Sequence, residues 1–310
     1  MNKQITNTIL MIRPVGFRMN EETAVNNYFQ EDLNIKNAEI NAKAQEEFDA
    51  FVEKLRNVGV NVIVENDDLK MDTPDSIFPN NWVSFHENGD VVVYPMFAVN
   101  RRRERREEVF MRLEEEGFEI KNIIDYTAAE EEDLFLEGTG SILMDRVHDK
   151  VYCALSARAD EELIIEFCED FDSMPVIFTA NQTVDGKRKP IYHTNVMMCL
   201  AEAFCVICLD TIDDKQEKKN VVHHLKESGK EIITISEAQM HQFAGNMLQV
   251  QGTDKKYLVM SAAAHNSLDA GQIAAIEKHC AILSSDLTTI ETCGGGSARC
   301  MMAEVFLPKK

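Results

Sequence analysis

The chain has 310 residues, of which 45% are hydrophobic, so it is long enough for a large core in one big domain or two ordinary ones. Its formal net charge of −21 would repel a phosphate backbone, which excludes nucleic acid as an expected partner. No apolar run reaches the roughly 20 residues that a transmembrane helix requires, so we expect no membrane partner either.

The N-terminal segment NTILMIRP (7–14) is too short for the apolar core of a signal peptide and lacks a small-residue cleavage site. We therefore expect a strand here. Because the eight cysteines follow no secretory signal, we also expect reduced thiols in a cytoplasmic protein. Cys205 and Cys208 lie in the apolar run AFCVICLDTI without two further ligands nearby, which indicates buried strand residues rather than a zinc site.

One kind of segment recurs along the chain. A short polar or glycine-containing turn leads into an apolar strand, a second strand follows after a loop, and an amphipathic helix comes next. This order occurs at 78–96, 136–156, 193–210, 245–261 and 294–307. The turns contain residues at equivalent positions, with a nearly constant spacing of about 55 residues. These residues are Asn81, Glu137, His193, Asn246 and Cys300.

Helical patterns with apolar positions at i, i+3 and i+4 spacing separate the strand pairs. They cover 44–59, 102–117, 159–171, 216–229 and 268–280. Five such units at a constant period predict a closed, radially repeated α/β fold, in which the strand at 8–14 pairs beside the last strand and closes the ring. The alternative is an ordinary α/β domain with evenly spaced βαβ units, because any α/β chain repeats at a few tens of residues.

The turns also carry reactive side chains. Equivalent positions in a closed ring converge on its axis, so Glu137, His193 and Cys300 would meet there, with Asp75 just upstream of the first turn. Cys300 follows the glycines at 294–296, whose backbone N–H groups can approach an anion closely and whose φ can be positive. His193 could accept the thiol proton or stabilise a thiolate, and Glu137 could orient the imidazole or bind a cationic substrate.

Each of these residues also has a structural interpretation that the local sequence leaves open. Cys300 could pack in a core strand, His193 could bind a backbone group at a strand edge, and Glu137 could be a turn residue on the surface. The run RRRERREE at 101–108 is typical of a solvated helix start. The repeat favours a shared site, because it places the three residues at matching positions.

Seven stretches carry a family resemblance in their order along the chain: RPVGFRMNEETAVNNYFQ (13–30), DSIFPNNWVSF (75–85), NRRRERRE (100–107), LEGTGS (136–141), HTNV (193–196), FAGNMLQV (243–250) and GGGSARCMMAEVF (294–306). They resemble the guanidino-group-modifying enzymes: arginine deiminases, dimethylarginine dimethylaminohydrolases and arginine:glycine amidinotransferases. The resemblance is greatest to the citrulline-utilisation hydrolase branch. It implies a single catalytic domain over residues 1–310, an α/β pentein propeller of five ββαβ-type blades around an axial active-site channel.

The resemblance also implies roles for particular residues. Cys300 matches the nucleophile at the end of the glycine-rich motif, and His193 matches the general acid/base. Glu137 matches the carboxylate that binds the terminal nitrogens of the substrate and contacts that histidine. Asp75 matches an acidic substrate ligand. The further substrate-binding candidates are Asn81, Asn195, Asn246, Arg101 with its neighbour Arg102, and Arg18 and Arg299 for an α-carboxylate.

These matches imply cysteine-dependent hydrolysis of a carbon–nitrogen bond in a small ureido or guanidino amino acid, with no cofactor and no metal. Many relatives have His-x-Asp where this chain has His193-Thr194-Asn195. Asparagine offers a hydrogen-bond donor and carries no charge, so Asn195 favours the neutral ureido group of citrulline, which would yield ornithine, carbon dioxide and ammonia. Arginine deimination, amidino transfer and a non-catalytic propeller are the alternatives. The oligomeric state stays open, with a homo-oligomer among the options.

Overall fold

The computed structural model describes residues 3–33 and 35–310. Within these residues the chain forms seventeen short strands. In chain order they are β1 (Thr8–Arg13), β2 (Asn61–Asn66), β3 (Val83–Phe85), β4 (Asp90–Val93), β5 (Asn122–Asp125), β6 (Ile142–Asp145), β7 (Lys150–Leu155), β8 (Met174–Thr179), β9 (Asn181–Val184), β10 (Lys187–Pro190), β11 (Met198–Leu200), β12 (Phe204–Ile207), β13 (Glu231–Thr234), β14 (Leu248–Gln251), β15 (Lys256–Ser261), β16 (Ala281–Ser285) and β17 (Ala303–Glu304).

The same described residues form eleven α-helices. In chain order they are α1 (Glu21–Ala24), α2 (Asn37–Asn57), α3 (Glu107–Glu115), α4 (Gly138–Ser141), α5 (Glu161–Asp170), α6 (Thr194–Met197), α7 (Lys215–Glu227), α8 (Glu237–Met240), α9 (Ala262–Ser267), α10 (Ala270–Glu277) and α11 (Thr288–Gly294). Helices α2, α3, α5, α7 and α10 occupy the five segments whose periodicity predicted a helix. Helix α2 begins at Asn37, earlier than the predicted residue 44, because Ile40 already lies buried on its inner face.

The predicted helix over 102–117 is wrong in its first part. The chain instead forms a 3-10 segment, Val99–Glu104, before α3 begins. Arg101 and Glu104 are 2% and 3% exposed, so the expectation of a solvated helix start is wrong for these two side chains. They form a buried ion pair with each other, and this pairing holds the backbone in the tighter turn.

Five sheets have three strands and one common topology. In each, an inner strand pairs antiparallel with a central strand, and the central strand pairs in parallel with an outer strand. A helix crosses between the central and outer strands, as a parallel pair requires. Written as inner, central and outer strands, the sheets are β3-β4-β5, β6-β7-β8, β11-β12-β13, β14-β15-β16 and β17-β1-β2. Strands β9 and β10 form a separate hairpin.

The two ends of the chain share one sheet. Strand β1 pairs antiparallel with β17, with Ile9 opposite Glu304, and parallel with β2, with Thr8 opposite Asn61. The predicted pairing of the N-terminal strand with the last strand is thereby confirmed.

The buried apolar residues of the described chain form four clusters, and each cluster joins two or three sheets. Together the clusters connect each sheet to the next one, in the order β17-β1-β2, β3-β4-β5, β6-β7-β8, β11-β12-β13 and β14-β15-β16. The last of these sheets packs in turn against β17-β1-β2. Representative members in that order are Leu10 with Trp82, Tyr94 with Val151, Tyr152 with Val206 and Met260, and Val259 with Ile9. Burial of this apolar surface holds the small sheets together, because a three-stranded sheet is only marginally stable alone.

The cysteine pair of the apolar run is buried as predicted. Cys205 lies in β12, whereas Cys208 directly follows the strand and begins a 3-10 turn. Burial raises the pKa of Cys208 to about 11 and raises that of Cys205 further, so both stay protonated at neutral pH. Among the described residues, no helix combines the length and the apolar character needed to cross a bilayer.

Candidate active site

The turns before the five inner strands lie around one region of the molecule. Asn81, His193 and Cys300 line a small cavity of about 10 Å³, together with Asp75 and Arg101. Three further predicted residues contact the residues that line it: Glu137, Asn195 and Asn246. The structure thus brings together eight of the eleven residues that the sequence singled out for catalysis or substrate binding.

Two asparagines surround the sulfur of Cys300. Asn246 Nδ2 donates to Cys300 Sγ at 3.2 Å, and Asn195 Nδ2 lies 3.4 Å from the same atom. Asn246 is held in turn by the backbone, because its Nδ2 also donates to the Asn195 carbonyl and its Oδ1 accepts from the Arg299 N–H. Both amide groups therefore point their N–H donors at the sulfur, where they can stabilise negative charge that develops during attack. Cys300 is only 3% exposed, which protects the sulfur from solvent.

The imidazole of His193 pairs with a carboxylate. His193 Nε2 and Glu137 Oε2 are 2.7 Å apart, and Glu137 Oε1 accepts from the Phe97 N–H. Burial opposes ionisation of Glu137, but Arg158 and His193 outweigh it and lower its pKa to about 2. Burial also lowers the pKa of His193 to about 4, although the hydrogen bond to Glu137 raises it. At neutral pH the pair is therefore a carboxylate and a neutral imidazole, which can accept a proton.

A glycine allows the turn that contains Glu137 to approach the turn that contains Asn81. Gly138 directly follows Glu137 and has a φ of +41°, in the left-handed region. A side chain there would place its Cβ 2.5 Å from the carbonyl oxygen of Asn80. Because only glycine fits this contact, the Glu-Gly pair sets the position of the carboxylate against the neighbouring turn.

Asp75 presents a carboxylate oxygen to the cavity region. Its Oδ2 accepts from Asn20 Nδ2 at 2.8 Å and from Thr23 Oγ1 at 3.1 Å. Its Oδ1 is buried and has no hydrogen-bond partner among the described residues. Burial raises the pKa of Asp75, and the nearby Arg101 opposes this. An acceptor without a partner is costly to bury, so Oδ1 is suited to receive an N–H group from a bound molecule.

Arg101 lines the cavity, but its donors are already used. It forms a bidentate pair with Glu104, with both N···O distances 2.9 Å, and it donates from Nη1 to Asn81 Oδ1 at 2.8 Å. It also lies 4.0 Å from Asp75 and 3.9 Å from Glu137. The guanidinium therefore compensates the buried acids and orients Asn81.

The other predicted arginines lie elsewhere. The guanidinium of Arg299 donates to the Met302 carbonyl and to Glu304, and it does not line this cavity. Arg18 pairs with Asp72 at 3.0 Å, and Arg102 donates to the Met96 carbonyl. These ionic and backbone contacts direct all three guanidinium groups away from Cys300.

Sequence reasoning missed Arg158, which does line the cavity. It is 2% exposed, lies 3.5 Å from Glu137 through Nη1, donates from Nη2 to the Thr23 carbonyl, and lies over the ring of Tyr192. No periodicity marks this residue. The available signal is its place just after β7, which is the central strand of the sheet that follows Glu137.

The segment around α1 covers the cavity, and its residues were also not singled out. Asn27 lines the cavity and donates to the carbonyls of Gly294 and Gly295, and Tyr192 donates its hydroxyl to the Gly295 carbonyl. Gly295 has a φ of +61°, so the predicted left-handed backbone occurs at one of the three glycines. The stretch 13–30 contributed to the family resemblance, but its polar residues follow no repeat that could identify them.

A sequence profile of the family described as "N,N dimethylarginine dimethylhydrolase, eukaryotic" matches residues 13–307. The chain belongs to this family of guanidino-group-modifying enzymes. The family resemblance predicted from the sequence is thereby confirmed. No curated protein sequence matches the chain significantly.

Solved structures show the same mixed α/β fold. The apo structure of ArgZ, an arginine dihydrolase from the ornithine–ammonia cycle in cyanobacteria, superposes with a TM-score of 0.74 at 17% identity and covers 98% of this chain. AgrE in a complex with ornithine and NAD+ gives 0.74 at 18% identity and also covers 98%. This chain spans only 41% of that ArgZ chain and 40% of that AgrE chain.

A smaller relative matches over its whole length. The dimethylarginine dimethylaminohydrolase adduct with S-methyl-L-thiocitrulline gives a TM-score of 0.65 at 15% identity, and the match covers 97% of this chain and 99% of that one. At such identities these likenesses establish the fold, and the substrate has to be argued from the site.

Proposed function

We propose that this protein uses Cys300 to hydrolyse a carbon–nitrogen bond of a ureido or guanidino amino acid, with citrulline as the first candidate substrate. The products would be ornithine, carbon dioxide and ammonia. The observation that carries the proposal is a sulfur with two amide donors in the same cavity as a His193–Glu137 pair. A nucleophile, a base and a group that orients the base are what covalent catalysis requires.

In the proposed mechanism, His193 accepts the proton of the Cys300 thiol, and the thiolate attacks the planar carbon of the substrate. The imidazolium then protonates the departing nitrogen, which leaves a covalent thioester-like or thiouronium-like adduct on sulfur. His193 next takes a proton from water, which attacks the adduct and releases Cys300. With citrulline, ornithine is the departing amine and hydrolysis of the carbamoyl adduct frees carbamic acid, which breaks down to carbon dioxide and ammonia. Glu137 stabilises the imidazolium during both steps.

Asp75 and Arg158 would hold the two ends of the substrate. The unpartnered Oδ1 of Asp75 is suited to the N–H groups of the ureido or guanidino end. Arg158 lines the cavity; its Nε and Nη2 are bound by Asn26 and the Thr23 carbonyl, whereas its Nη1 makes a single 3.5 Å contact, with Glu137. We assign it to the substrate carboxylate, in place of the Arg299 and Arg18 candidates. Fixing both ends presents the reactive carbon to sulfur.

Arginine is the second candidate substrate. Asp75 and Glu137 supply buried acids that suit a cationic guanidinium, and the similar ArgZ structure is described as an arginine dihydrolase. Asn195 supports citrulline instead, because it places an uncharged donor where an aspartate would add negative charge. Transfer of the carbon group to an amine rather than water would make the enzyme an amidinotransferase.

We further propose that residues 1–310 form one catalytic domain, a five-bladed α/β propeller with Cys300 on its axis. The common topology of the five sheets and the apolar clusters that join successive sheets support this arrangement. The contacts between inner strands, β17 with β3, β6 with β11 and β11 with β14, support it as well.

The test is to incubate the purified protein with citrulline and, separately, with arginine, and to assay ornithine, citrulline and ammonia. Ornithine from citrulline would support ureido hydrolysis. Citrulline or ornithine from arginine alone would keep the mechanism and reverse the choice of substrate. Release of ammonia from neither substrate would contradict the proposal.

A substitution tests the choice between the two substrates. Asn195→Asp places a carboxylate near sulfur and substrate, so we expect the ratio of citrulline to arginine kcat/KM to fall about tenfold. An unchanged ratio would show that Asn195 does not select the substrate.

A further inference from the structure

A buried acid lies behind the glycine loop, outside the cavity. Glu291 is in α11, one turn before the glycines at 294–296, and is 5% exposed. Ser297 is fully buried and donates from Oγ to Glu291 Oε1 at 2.5 Å. Neither residue lines the cavity that contains Cys300. The contact therefore joins the two ends of the glycine loop from its inner side.

The same two residues also hold the backbone. The Gly295 N–H donates to the Glu291 carbonyl at 2.9 Å, and the Cys300 N–H donates to the Ser297 carbonyl at 3.0 Å. Ser297 thus connects Glu291 to the residue whose sulfur faces the cavity. Because glycine backbones sample more conformations than other residues, a loop with three glycines needs such restraints to keep one geometry.

Packing alone does not account for an acid at this place. Burial raises the pKa of Glu291 to about 7, and the nearby charges of Glu47 on α2 and Asp286 after β16 raise it too, against the hydrogen bonds from Ser261 and Ser297. Burying such a group costs stability, which an apolar residue would avoid. Costly buried acids are more frequent where a site depends on their geometry.

We propose that Glu291 is a positioning residue that fixes the glycine loop through Ser297 and thereby places Cys300 for attack. The inference rests on the proposed function, because it takes Cys300 as the nucleophile. The residue acts through Ser297 and does not touch the substrate. Loss of its acceptor atom would misplace the sulfur by a fraction of an ångström, which is enough to slow the reaction.

The experiment compares Glu291→Gln, Glu291→Ala, Ser297→Ala and the double alanine variant. Glutamine keeps an oxygen that accepts from Ser297, so we expect it to retain at least about half of kcat. Each alanine variant should lose about tenfold or more in kcat with KM changed less than about twofold. The double variant should lose no more kcat than Glu291→Ala alone, because each single variant already breaks the Ser297–Glu291 contact.

Alkylation separates this inference from the proposed function. The rate at which iodoacetamide modifies Cys300, followed by peptide mass spectrometry, should fall in the alanine variants and recover in Glu291→Gln. If the wild type turned over no tested substrate, the proposed function would fail while the alkylation series still tested the positioning role. Equal alkylation rates in folded wild type and Glu291→Ala would overturn the inference.

Glu47→Gln serves as the matched control. Glu47 accepts from the Thr289 and Ile290 N–H groups at 2.8 and 3.0 Å, at the opposite end of the same helix. We expect it to lower the denaturation midpoint without changing kcat or the alkylation rate. If Glu47→Gln lost as much kcat as Glu291→Ala, the effect would come from the stability of the helix, and the inference would be contradicted. A Glu291→Gln variant as slow as Glu291→Ala would contradict it as well. If Glu291→Ala does not fold, Ser297→Ala with Glu291→Gln decides the same question.

Discussion

The sulfur of Cys300 accepts hydrogen bonds, whereas three other cysteines of the chain donate to backbone carbonyls. Cys153, Cys205 and Cys280 donate their S–H groups to backbone carbonyls, and burial raises the pKa of each. Cys300 instead accepts from two side-chain amides. A buried thiol that donates to a carbonyl is held in its protonated form, whereas one that accepts can become a nucleophile.

Cys300→Ala should abolish turnover and leave the fold intact, because alanine removes the nucleophile and only a small buried volume. Cys293→Ala should do much less, since Cys293 packs inside α11 before the glycines. The measurement is kcat for both variants, with circular dichroism as the check on folding. A reversed order of the two effects would assign the nucleophile to Cys293.

Asn246→Asp should lower kcat by about 10–100-fold, because it removes the N–H donor 3.2 Å from sulfur and adds a repulsive charge. The aspartate keeps the oxygen that accepts from the Arg299 N–H but loses the hydrogen bond to the Asn195 carbonyl, so circular dichroism is recorded to check the fold. Steady-state kinetics and the alkylation rate of Cys300 are compared with the wild type. Full activity in this variant would show that the sulfur does not need the amide donor.

At the scale of elements, local signals decide most of the helices. The apolar spacing locates all five long helices, and the glycines at 59, 117 and 229 follow three of them. The same signal fails at 99–104, where the side chains of Arg101 and Glu104 point into the protein. Arginine and glutamate normally indicate a solvated face, and only the tertiary arrangement supplies the buried carboxylates that accept Arg101.

Asp269→Ala should destabilise the protein by about 1 kcal/mol without changing kcat. Asp269 forms a capping box with Gln272 at the start of α10, and neither residue lines the cavity. The free energy of unfolding is measured in urea, alongside Asp269→Asn, which keeps a capping oxygen and should cost little. Equal losses in both variants would show that the side-chain cap is not the cause.

At the scale of the whole molecule, the ends of the chain are joined by one sheet. Because β17 and β1 are neighbours, the sheet whose inner strand follows Cys300 is completed only when the N-terminal strand docks. The formation of the site therefore depends on contacts between residues almost a full chain length apart, which are slow to form and cooperative once made. Loss of the fold and loss of the site should coincide.

His193 by itself should lower the stability of the fold between pH 6.5 and pH 5, whereas Glu104 and Glu291, whose pKa values burial raises to about 7, act in the opposite direction. Burial lowers the pKa of His193 from 6.5 to about 4, so in this range the unfolded chain binds a proton that the folded chain does not. The loss from this one residue is about 2 kcal/mol over that interval. His193→Asn should remove this loss, as measured by urea unfolding at pH 7 and pH 5. If both proteins lost the same amount, His193 would titrate normally in the fold.

Much of the fold and the centre of the site could be predicted from the sequence. Repetition made this possible, since Glu137, His193 and Cys300 occupy equivalent turns, and these turns lie together in the structure. Arg158 and Asn27 could not be found this way, because they reach the cavity from positions that no other unit shares. The roles of Arg101 and Arg299 could not be predicted from the sequence either, because the role of a guanidinium depends on which acceptors lie near it in the fold.

The sequence by itself determined the class of elements, their period and the residue types gathered at the turns. These follow from local rules, namely apolar spacing, glycine conformation and the chemistry of cysteine and histidine. Only the tertiary structure decided which groups face one another: the amides on the sulfur, the carboxylate on the imidazole, and Glu291 behind the loop. The physical reason is that hydrogen bonds and ion pairs act over a few ångströms, between residues that the chain separates by as many as a hundred positions.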